Sequence, residues 1–310
     1  MGGEKFRKEL ESIKKQTIQP EKVIVYIAEG YPRPEFQIGK EEYVWVKKGM
    51  VAQRALDYDD INSLVLFFLD DDVELAHDSA EKMIGALEQN KLDAVGADVF
   101  KNHRMTFAQK FYSVLVNGVR PHFNKHWAFR ISRNGSFTYN NHPKKNLYKS
   151  QSCGGPAWII KKSVYKALKF QDEIWLDDLG FAYGDDQLET YKIYKNGYKL
   201  GVLFNSGITN LDAKSESYKY HNNTHKIYIR TKASFTIWWR SIFKCSDTYL
   251  NKFITGFSFT IKTLWTLIPV GVLSIKTLSI SPLLQFVRGN IDGWKLVHSK
   301  DYLIIPSYII

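Results

Sequence analysis

Apolar and polar positions along the amino-terminal two thirds of the chain switch between a helical and a strand period. From Phe6 to Gln16 the apolar residues Phe6, Leu10 and Ile13 fall on one face of a helix, which Pro20 closes. Lys22–Ala28 (KVIVYIA) is a β-branched run of strand length and predicts a buried strand, broken by Glu29, Gly30 and Pro32. Glu41–Val46 predicts a second strand, and Met50–Leu56 a short helix. Ser63–Leu69 (SLVLFFL) is the most hydrophobic strand of the first half and runs straight into Asp70, Asp71 and Asp72. Further on, the pattern predicts a helix over Asp78–Gln89 with Asp78 as N-cap, and a strand over Leu92–Asp98. It then gives helices over Lys161–Leu168 and Asp185–Asn196, the latter stopped by Gly197, and a strand over Leu200–Phe204. Lys101–Gln151 shows no clear period, and Cys153–Pro156 is a tight turn.

This alternation implies an α/β layer with a largely parallel sheet flanked by helices. Ligands in such sheets bind beyond the carboxyl ends of the strands, where the triple aspartate stands. The C-terminal third is different. Phe253–Ile275 is a run of 23 residues with one charge, Lys262. A membrane span needs about 20 predominantly apolar residues. Pro269, Gly271, several Thr and Ser, and the central Lys262 argue against a clean span, and Lys276 precedes another apolar run, Thr277–Val287. Helices lying in the membrane interface are the preferred reading, with Trp238, Trp239 and Trp265 at headgroup depth and lysines outward. A helical pair buried against the main domain, or a span, are the alternatives.

Charge changes the picture further. Across 310 residues, 43 Lys+Arg against 32 Asp+Glu leave a net charge of +11, and the basic excess lies mainly beyond Lys214. A hydrophobic share of 44% with 24% charged residues argues against disorder. No zinc spacing, RNP pattern or basic-region heptad accompanies the charge, so no nucleic-acid partner is expected. The anionic cytoplasmic face of a membrane fits it better; a solvated basic surface is the plain alternative. Cys153 and Cys245 are too few for a disulfide framework or a four-thiolate zinc site, which suggests a reducing compartment. Met1–Gln16 has no apolar core of the kind a secretory signal needs.

Three stretches carry candidate chemistry. Asp70-Asp71-Asp72 places three carboxylates in a row after an apolar strand; they repel one another, and a shared hard cation that also holds a diphosphate would relieve this. A solvated turn is the simpler explanation. Asp177, Asp178, Asp185 and Asp186 lie within one short stretch, yet a helix needs only one cap. A carboxylate at a helix head can serve as a general base, with the helix dipole lowering its pKa. In Gly49–Arg54, Arg54 stands a short way before Asp70–Asp72 and could pair with them or with a phosphate; an ordinary surface or structural arginine is an equal reading. GxxxxGK[ST], GxGxxG and GxSxG do not occur, which excludes P-loop, dinucleotide-binding and nucleophile-elbow readings.

The order of Leu10–Thr17, the strand Val23–Tyr26, Gln53-Arg54, Leu69–Asp72, Gly184-Asp185-Asp186 and Gly197-Tyr198 resembles family 2 glycosyltransferases of the GT-A fold, over roughly Phe6 to Asp212. The resemblance implies a Rossmann-like, mostly parallel sheet in a catalytic domain over 1–212. The basic, aromatic, helical region over 213–310 would then be a membrane-associating extension. It implies an inverting transfer of a sugar from a nucleotide-diphosphate sugar to an acceptor hydroxyl, in surface polysaccharide or glycan biosynthesis. Asp70 and Asp72 match the DxD element that holds Mg²⁺ or Mn²⁺, and Asp186, with Asp185 beside it, matches the base. Glu29, Arg54 and Asp71 join the nucleotide-sugar side. Gly154, Gly155, Pro156 and Trp158 match the segment lining the acceptor and donor sugar. His225, or His221, matches a late metal ligand. A glycan or lipid-linked acceptor and a peripheral place on the inner face of the cell membrane, in the cytoplasm, follow. The family's usual first strand has no counterpart before the first helix, so a catalytically silent nucleotide- or glycan-binding module is the alternative.

Overall fold

The computed structural model describes residues 3–98, 107, 111, 114, 126–140, 142–180, 183–211 and 224–310. Helix α1 (Glu4–Lys14) seats Phe6, Leu10 and Ile13 in one cluster with Val23, Val25 and Leu69, as its period predicts. The chain then forms β1 (Val23–Ala28) and β2 (Glu41–Val46), paired in parallel over their full length as a separate two-stranded sheet. Next come β3 (Val65–Leu69), β4 (Val73–Leu75), α2 (Ser79–Gln89) and β5 (Ala94–Ala97). The described part of the aperiodic stretch holds β6 (Phe129–Ile131), β7 (Phe137–Tyr139) and β8 (Leu147–Ser150). Then follow β9 (Ala157–Lys161), α3 (Lys162–Leu168), a 3₁₀ helix (Phe170–Leu179), α4 (Asp185–Lys195), β10 (Leu200–Leu203) and β11 (Ile208–Asn210).

The central sheet has the order β3-β9-β5-β10-β8. Only β5 and β10 run in parallel; β3 with β9, β9 with β5, and β10 with β8 are antiparallel. The sheet is therefore mixed, not mostly parallel. The reason lies in β9. Its residues Ala157, Trp158, Ile159 and Ile160 are apolar on both faces and at most 1% exposed, so the strand takes an interior position. The excursion between β5 and β9 brings it back antiparallel to both neighbours.

Two other expectations need correcting. Asp78 does not cap α2 with its side chain; it pairs with Lys82 at 2.9 Å, while the distant Gln16 Oε1 accepts the Ala80 N–H at 2.9 Å. Strand β1, predicted to be buried, and the strongly apolar β3 are half-buried over Val23–Tyr26 and over most of Val65–Leu69, because each ends its sheet and a cleft runs between them.

The C-terminal region consists of α5 (Thr224–Trp238), a π-helical turn (Trp239–Phe243), α6 (Tyr249–Lys276), α7 (Ser281–Val297) and α8 (Lys300–Leu303). Helices α5 and α7 cross closely at Gly289, where a Cβ would lie 2.8 Å from the Thr231 side chain and from the Tyr228 carbonyl. Helix α6 runs unbroken through Pro269. Phe259 and Val270 are buried on its inner side, and Leu250, Phe253, Phe257, Ile261, Leu264, Ile268, Val272 and Ile275 form an exposed stripe at spacings of three and four. By length and composition α6 suffices to cross a membrane.

Lys262 does not face outward. Its ammonium donates to the Asn134 carbonyl at 3.1 Å, and burial pushes its pKa down to about 8. The one charge of the apolar run thus faces protein. Trp238 is a core residue too: it stacks on Phe259 at 4.0 Å and donates to the Arg133 carbonyl at 2.9 Å.

The C-terminal helices share the main core. The largest apolar cluster includes Trp158, Leu176 and Leu188 together with Ala233, Ile237, Trp238 and Phe259. Beside it Glu173 is wholly buried and accepts from Lys192 at 2.9 Å, from Arg240 Nη2 at 2.7 Å and Nε at 2.8 Å, and from the Trp175 indole at 3.0 Å. Arg240 also donates to the Pro306 carbonyl, and Tyr308 to that of Leu188.

Candidate functional site

The site is assembled around Arg54. The predicted helix over Met50–Leu56 is not formed; the chain makes turns there, with Gln53 N bonded to Gly49 O at 3.0 Å and Ala55 N to Val51 O at 2.7 Å. What holds the turn comes from far along the sequence. The Asp177 carboxylate accepts the Val51 N–H at 3.1 Å and the Ala52 N–H at 2.8 Å. Gly49 makes room for it, since a Cβ there would stand 2.2 Å from Asp177 Oδ2. Tyr165 and Tyr58 donate to the Arg54 carbonyl from the other side. Among the clustered aspartates, Asp177 therefore positions Arg54 instead of facing a ligand.

The Arg54 guanidinium, 14% exposed, meets four carboxyl groups. Nη2 binds Asp70, the first residue after β3. Nη1 binds Asp185 Oδ2 and Asp186 Oδ1, both at 3.0 Å, and lies 3.9 Å from Glu189 Oε2. Asp185, Asp186 and Glu189 share one side of the opening turns of α4, because positions three and four apart are neighbours on a helix. Asp70, Asp185 and Asp186 were expected at the site from the sequence. Glu189 was not, although its spacing from Asp185 and Asp186 was visible.

The electrostatics differ from the sequence expectation. The helix dipole was to lower the Asp186 pKa, but burial raises it, Arg54 pulls it back, and Asp70 pushes it up again. Burial and the neighbouring Asp186 push Asp185 up to about 8 against the pull of Arg54. Glu189 is raised well above the carboxylate range, first by burial, and its Oε1 has no hydrogen-bond partner among the described residues. One guanidinium shared among carboxylates held away from water leaves Asp185 protonated near neutral pH. Asp186 is the most exposed member of the α4 set, with 38% of its side chain accessible, against 6% for Asp185 and 3% for Glu189.

The Cys153–Pro156 turn reaches the same place. A Cβ on Gly155 would fall 1.8 Å from Asp186 Oδ1, so the absence of a side chain there lets the carboxylate lie against the backbone. Pro156 O accepts the Asp70 N–H at 2.9 Å, linking this turn to the end of β3. Gly154 is buried beside it. Trp158, expected on the sugar side, is instead a core residue, 1% exposed and stacked on Phe68 at 4.6 Å.

The other candidate residues stand further out. Asp71 is exposed, and Asp72 is half-buried with its carbonyl accepting from Leu211 N at 2.8 Å. Glu29 is exposed just past β1, its N–H on the Val46 carbonyl at 2.8 Å. His225 lies in the first turn of α5 with its ring 6.0 Å from that of Tyr228; His221 lies outside the described residues. No cluster of three or more His, Cys, Asp or Glu able to hold a metal occurs among the described residues. Asp70, Asp71 and Asp72 supply oxygen donors only, the chemistry that Mg²⁺ or Mn²⁺ takes when one or two carboxylates and a substrate phosphate complete its shell. The donor set fits such an ion, with Arg54 competing for Asp70.

No protein-family model matches the chain, and no curated protein matches it. Among solved structures the chain is similar to residues 1–349 of S. aureus TarS. For the complex with UDP the identity is 13%, the coverage 95% of this chain and 86% of that one, and the TM-score 0.41. For a second structure of the same segment of TarS the identity is 13%, the coverage 94% of this chain and 86% of that one, and the TM-score 0.46.

Proposed function

We propose that the chain is an inverting glycosyltransferase that moves a sugar from a nucleotide-diphosphate sugar to an acceptor hydroxyl in surface polysaccharide or glycan biosynthesis. One observation carries this reading. Arg54 gathers Asp70, Asp185 and Asp186 at the carboxyl end of β3, and Gly155 opens the backbone beneath Asp186. A carboxylate for proton removal and a cation for an anionic leaving group thereby lie in one cleft.

Asp186 is the general base of this reading, because it is the accessible carboxylate of the α4 set. Its raised pKa brings its basicity closer to that needed to take a hydroxyl proton, and Arg54 keeps a fraction ionised. Arg54 also offers a guanidinium to the diphosphate. Asp185 and Glu189, more deeply buried, hold Arg54 in place. Asp70 and Asp72 would hold Mg²⁺ or Mn²⁺, which when bound neutralises charge on the departing nucleoside diphosphate. Holding donor and acceptor together lowers the barrier through proximity.

The exposed apolar stripe of α6, continued by Leu284, Val287, Ile291 and Trp294 on α7, supports a membrane-surface location and a lipid-linked acceptor. A second reading, the silent nucleotide- or glycan-binding module, is favoured by the cleft that leaves β3, and with it the base of Asp70, half-exposed.

Thermal shift with UDP, GDP, dTDP and CDP, with and without Mn²⁺, tests the donor site. UDP, which the TarS structure holds, comes first. A metal-dependent rise with one nucleotide is expected. Asp186→Asn should then keep that rise and abolish turnover. A rise with no turnover in the unsubstituted chain would select the silent module, and unchanged donor hydrolysis in Asp186→Asn would remove Asp186 from the role of base.

A further inference from the structure

Three consecutive carbonyls of the turn between β6 and β7 each receive a side chain from a different helix. Arg133 O accepts from the Trp238 indole of α5 at 2.9 Å, Asn134 O from the Lys262 ammonium of α6 at 3.1 Å, and Gly135 O from Gln187 Nε2 of α4 at 3.4 Å. Gln187 directly follows Asp186. The turn thus brings Lys262 to the head of α4. Arg230 of α5 reaches the same helix head, with its guanidinium carbon 4.7 Å from the centre of the Tyr183 ring. Tyr183 precedes Asp186 by three residues, a backbone path of at most about 11 Å.

These two cations lack counter-ions. Neither has a carboxylate within ion-pair distance among the described residues. Arg230 carries five N–H donors, and Tyr183 attracts the guanidinium through its ring without taking any of them. Lys262 carries three, of which Asn134 O takes one. The pair is also close enough to repel, since burial and the Arg230 charge both push the Lys262 pKa down. Two like charges, one of them withdrawn from water, are stabilised together by a shared anion. A guanidinium fork that can take two oxygens, beside a compact ammonium that can take a third, suits a phosphate.

The place of the pair decides what carries that phosphate. Lys262 stands on the protein-facing flank of α6, whose opposite face is the exposed apolar stripe that includes Ile261 and Leu264. A helix is about 10–12 Å across, and the apolar face of an interfacial helix sinks about 5–10 Å into a bilayer. The flank with Lys262 then lies at the depth of the headgroups. A lipid whose chain lies beside the stripe has its phosphate at this flank, and the group that the phosphate carries at the head of α4.

We propose that Arg230 and Lys262 form a subsite for the phosphate of a lipid-borne phosphate ester, which holds the acceptor end of that lipid beside Asp186. Assigning this phosphate to the acceptor rests on the glycosyltransferase reading. The subsite itself is read by binding alone, so loss of binding and loss of turnover are separate results.

Phosphatidylcholine nanodiscs carrying farnesyl phosphate at low density, or farnesol as its uncharged twin, are the probes, with affinity for the full chain read by surface plasmon resonance. The unsubstituted chain should prefer the phosphate discs by about tenfold or more, the size of one or two charge-assisted hydrogen bonds. Arg230→Gln and Lys262→Gln should each remove most of that preference. Arg230 is exposed, so its variant carries the test even where Lys262→Gln does not fold. Lys276→Gln removes the same charge from the exposed end of α6 and should keep the preference. Glycerol phosphate in solution should displace the discs far less well than farnesyl phosphate. No preference in the unsubstituted chain, a preference kept in Arg230→Gln, an equal loss in Lys276→Gln, or equal displacement by glycerol phosphate would each overturn the subsite.

Discussion

Replacing Glu173 by glutamine should destabilise the whole molecule. Glu173 is fully buried and, among the described residues, is the only carboxylate bonded to Lys192 and Arg240, whose side chains are 0% and 7% exposed. Glutamine keeps the shape and one acceptor but removes the charge that lets two buried cations persist. Breaking a buried pair at one partner costs about 3–5 kcal/mol. With a urea slope of about 2–3 kcal/mol per M, the midpoint should fall by roughly 1–2.5 M, read by circular dichroism. The pH dependence gives a second test. Burial alone would raise the Glu173 pKa, but the hydrogen bonds and charges of Arg240 and Lys192 prevail and hold it below 4.5. Its contribution is therefore complete above 4.5 and is lost as pH falls through the lowered folded value; Glu173→Gln should lack that loss. Adding Lys192→Met to Glu173→Gln removes one stranded cation and should restore part of the midpoint. A shift below about 0.3 M, at an unchanged slope, would show that the triad is solvated and the argument wrong. Because Glu173 ties the 3₁₀ helix to Arg240 and α4, the transition should also be single.

Gly155→Ala must push Asp186 off Arg54, since the new Cβ would meet Oδ1 at 1.8 Å; turnover should fall on the order of 10²-fold with little change in melting temperature. Asp185 keeps its proton up to about pH 8 when folded but releases it near 3.8 when unfolded, so stability should decline as pH rises across that window. Asp185→Asn should flatten the decline, which urea midpoints at several pH values would reveal; parallel curves for the two proteins would count against it. On α6, Phe257→Glu with Leu264→Glu places charge on side chains 60% and 55% exposed. Co-sedimentation with phosphatidylserine vesicles should weaken by at least about tenfold, at about 1.5–3 kcal/mol for each buried side chain, while the helical signal stays constant. Equal sedimentation would separate this stripe from the membrane.

Much of the chain could be read from its own pattern. The helical period of Phe6, Leu10 and Ile13, the β-branched runs of β1 and β3, and the stop at Gly197 depend on neighbours a few residues away, and the structure reproduces them. The chemistry of Asp70, Asp185 and Asp186 was legible for the same reason, as local crowding of like charge that needs a partner. That Arg54 supplies it is a matter of tertiary structure, because 131 residues separate Arg54 from Asp185. The same holds for Asp177, whose carboxylate replaces a predicted helix by a turn, and for Trp158, whose place between β3 and β5 makes it core. Strand direction was not legible either, since an apolar run has the same period whichever way it lies, and only the return path of β9 decides it. Lys262 shows the division most plainly. Its presence in an apolar run is written in the sequence, but the carbonyl of Asn134 that receives it is brought there only by the fold.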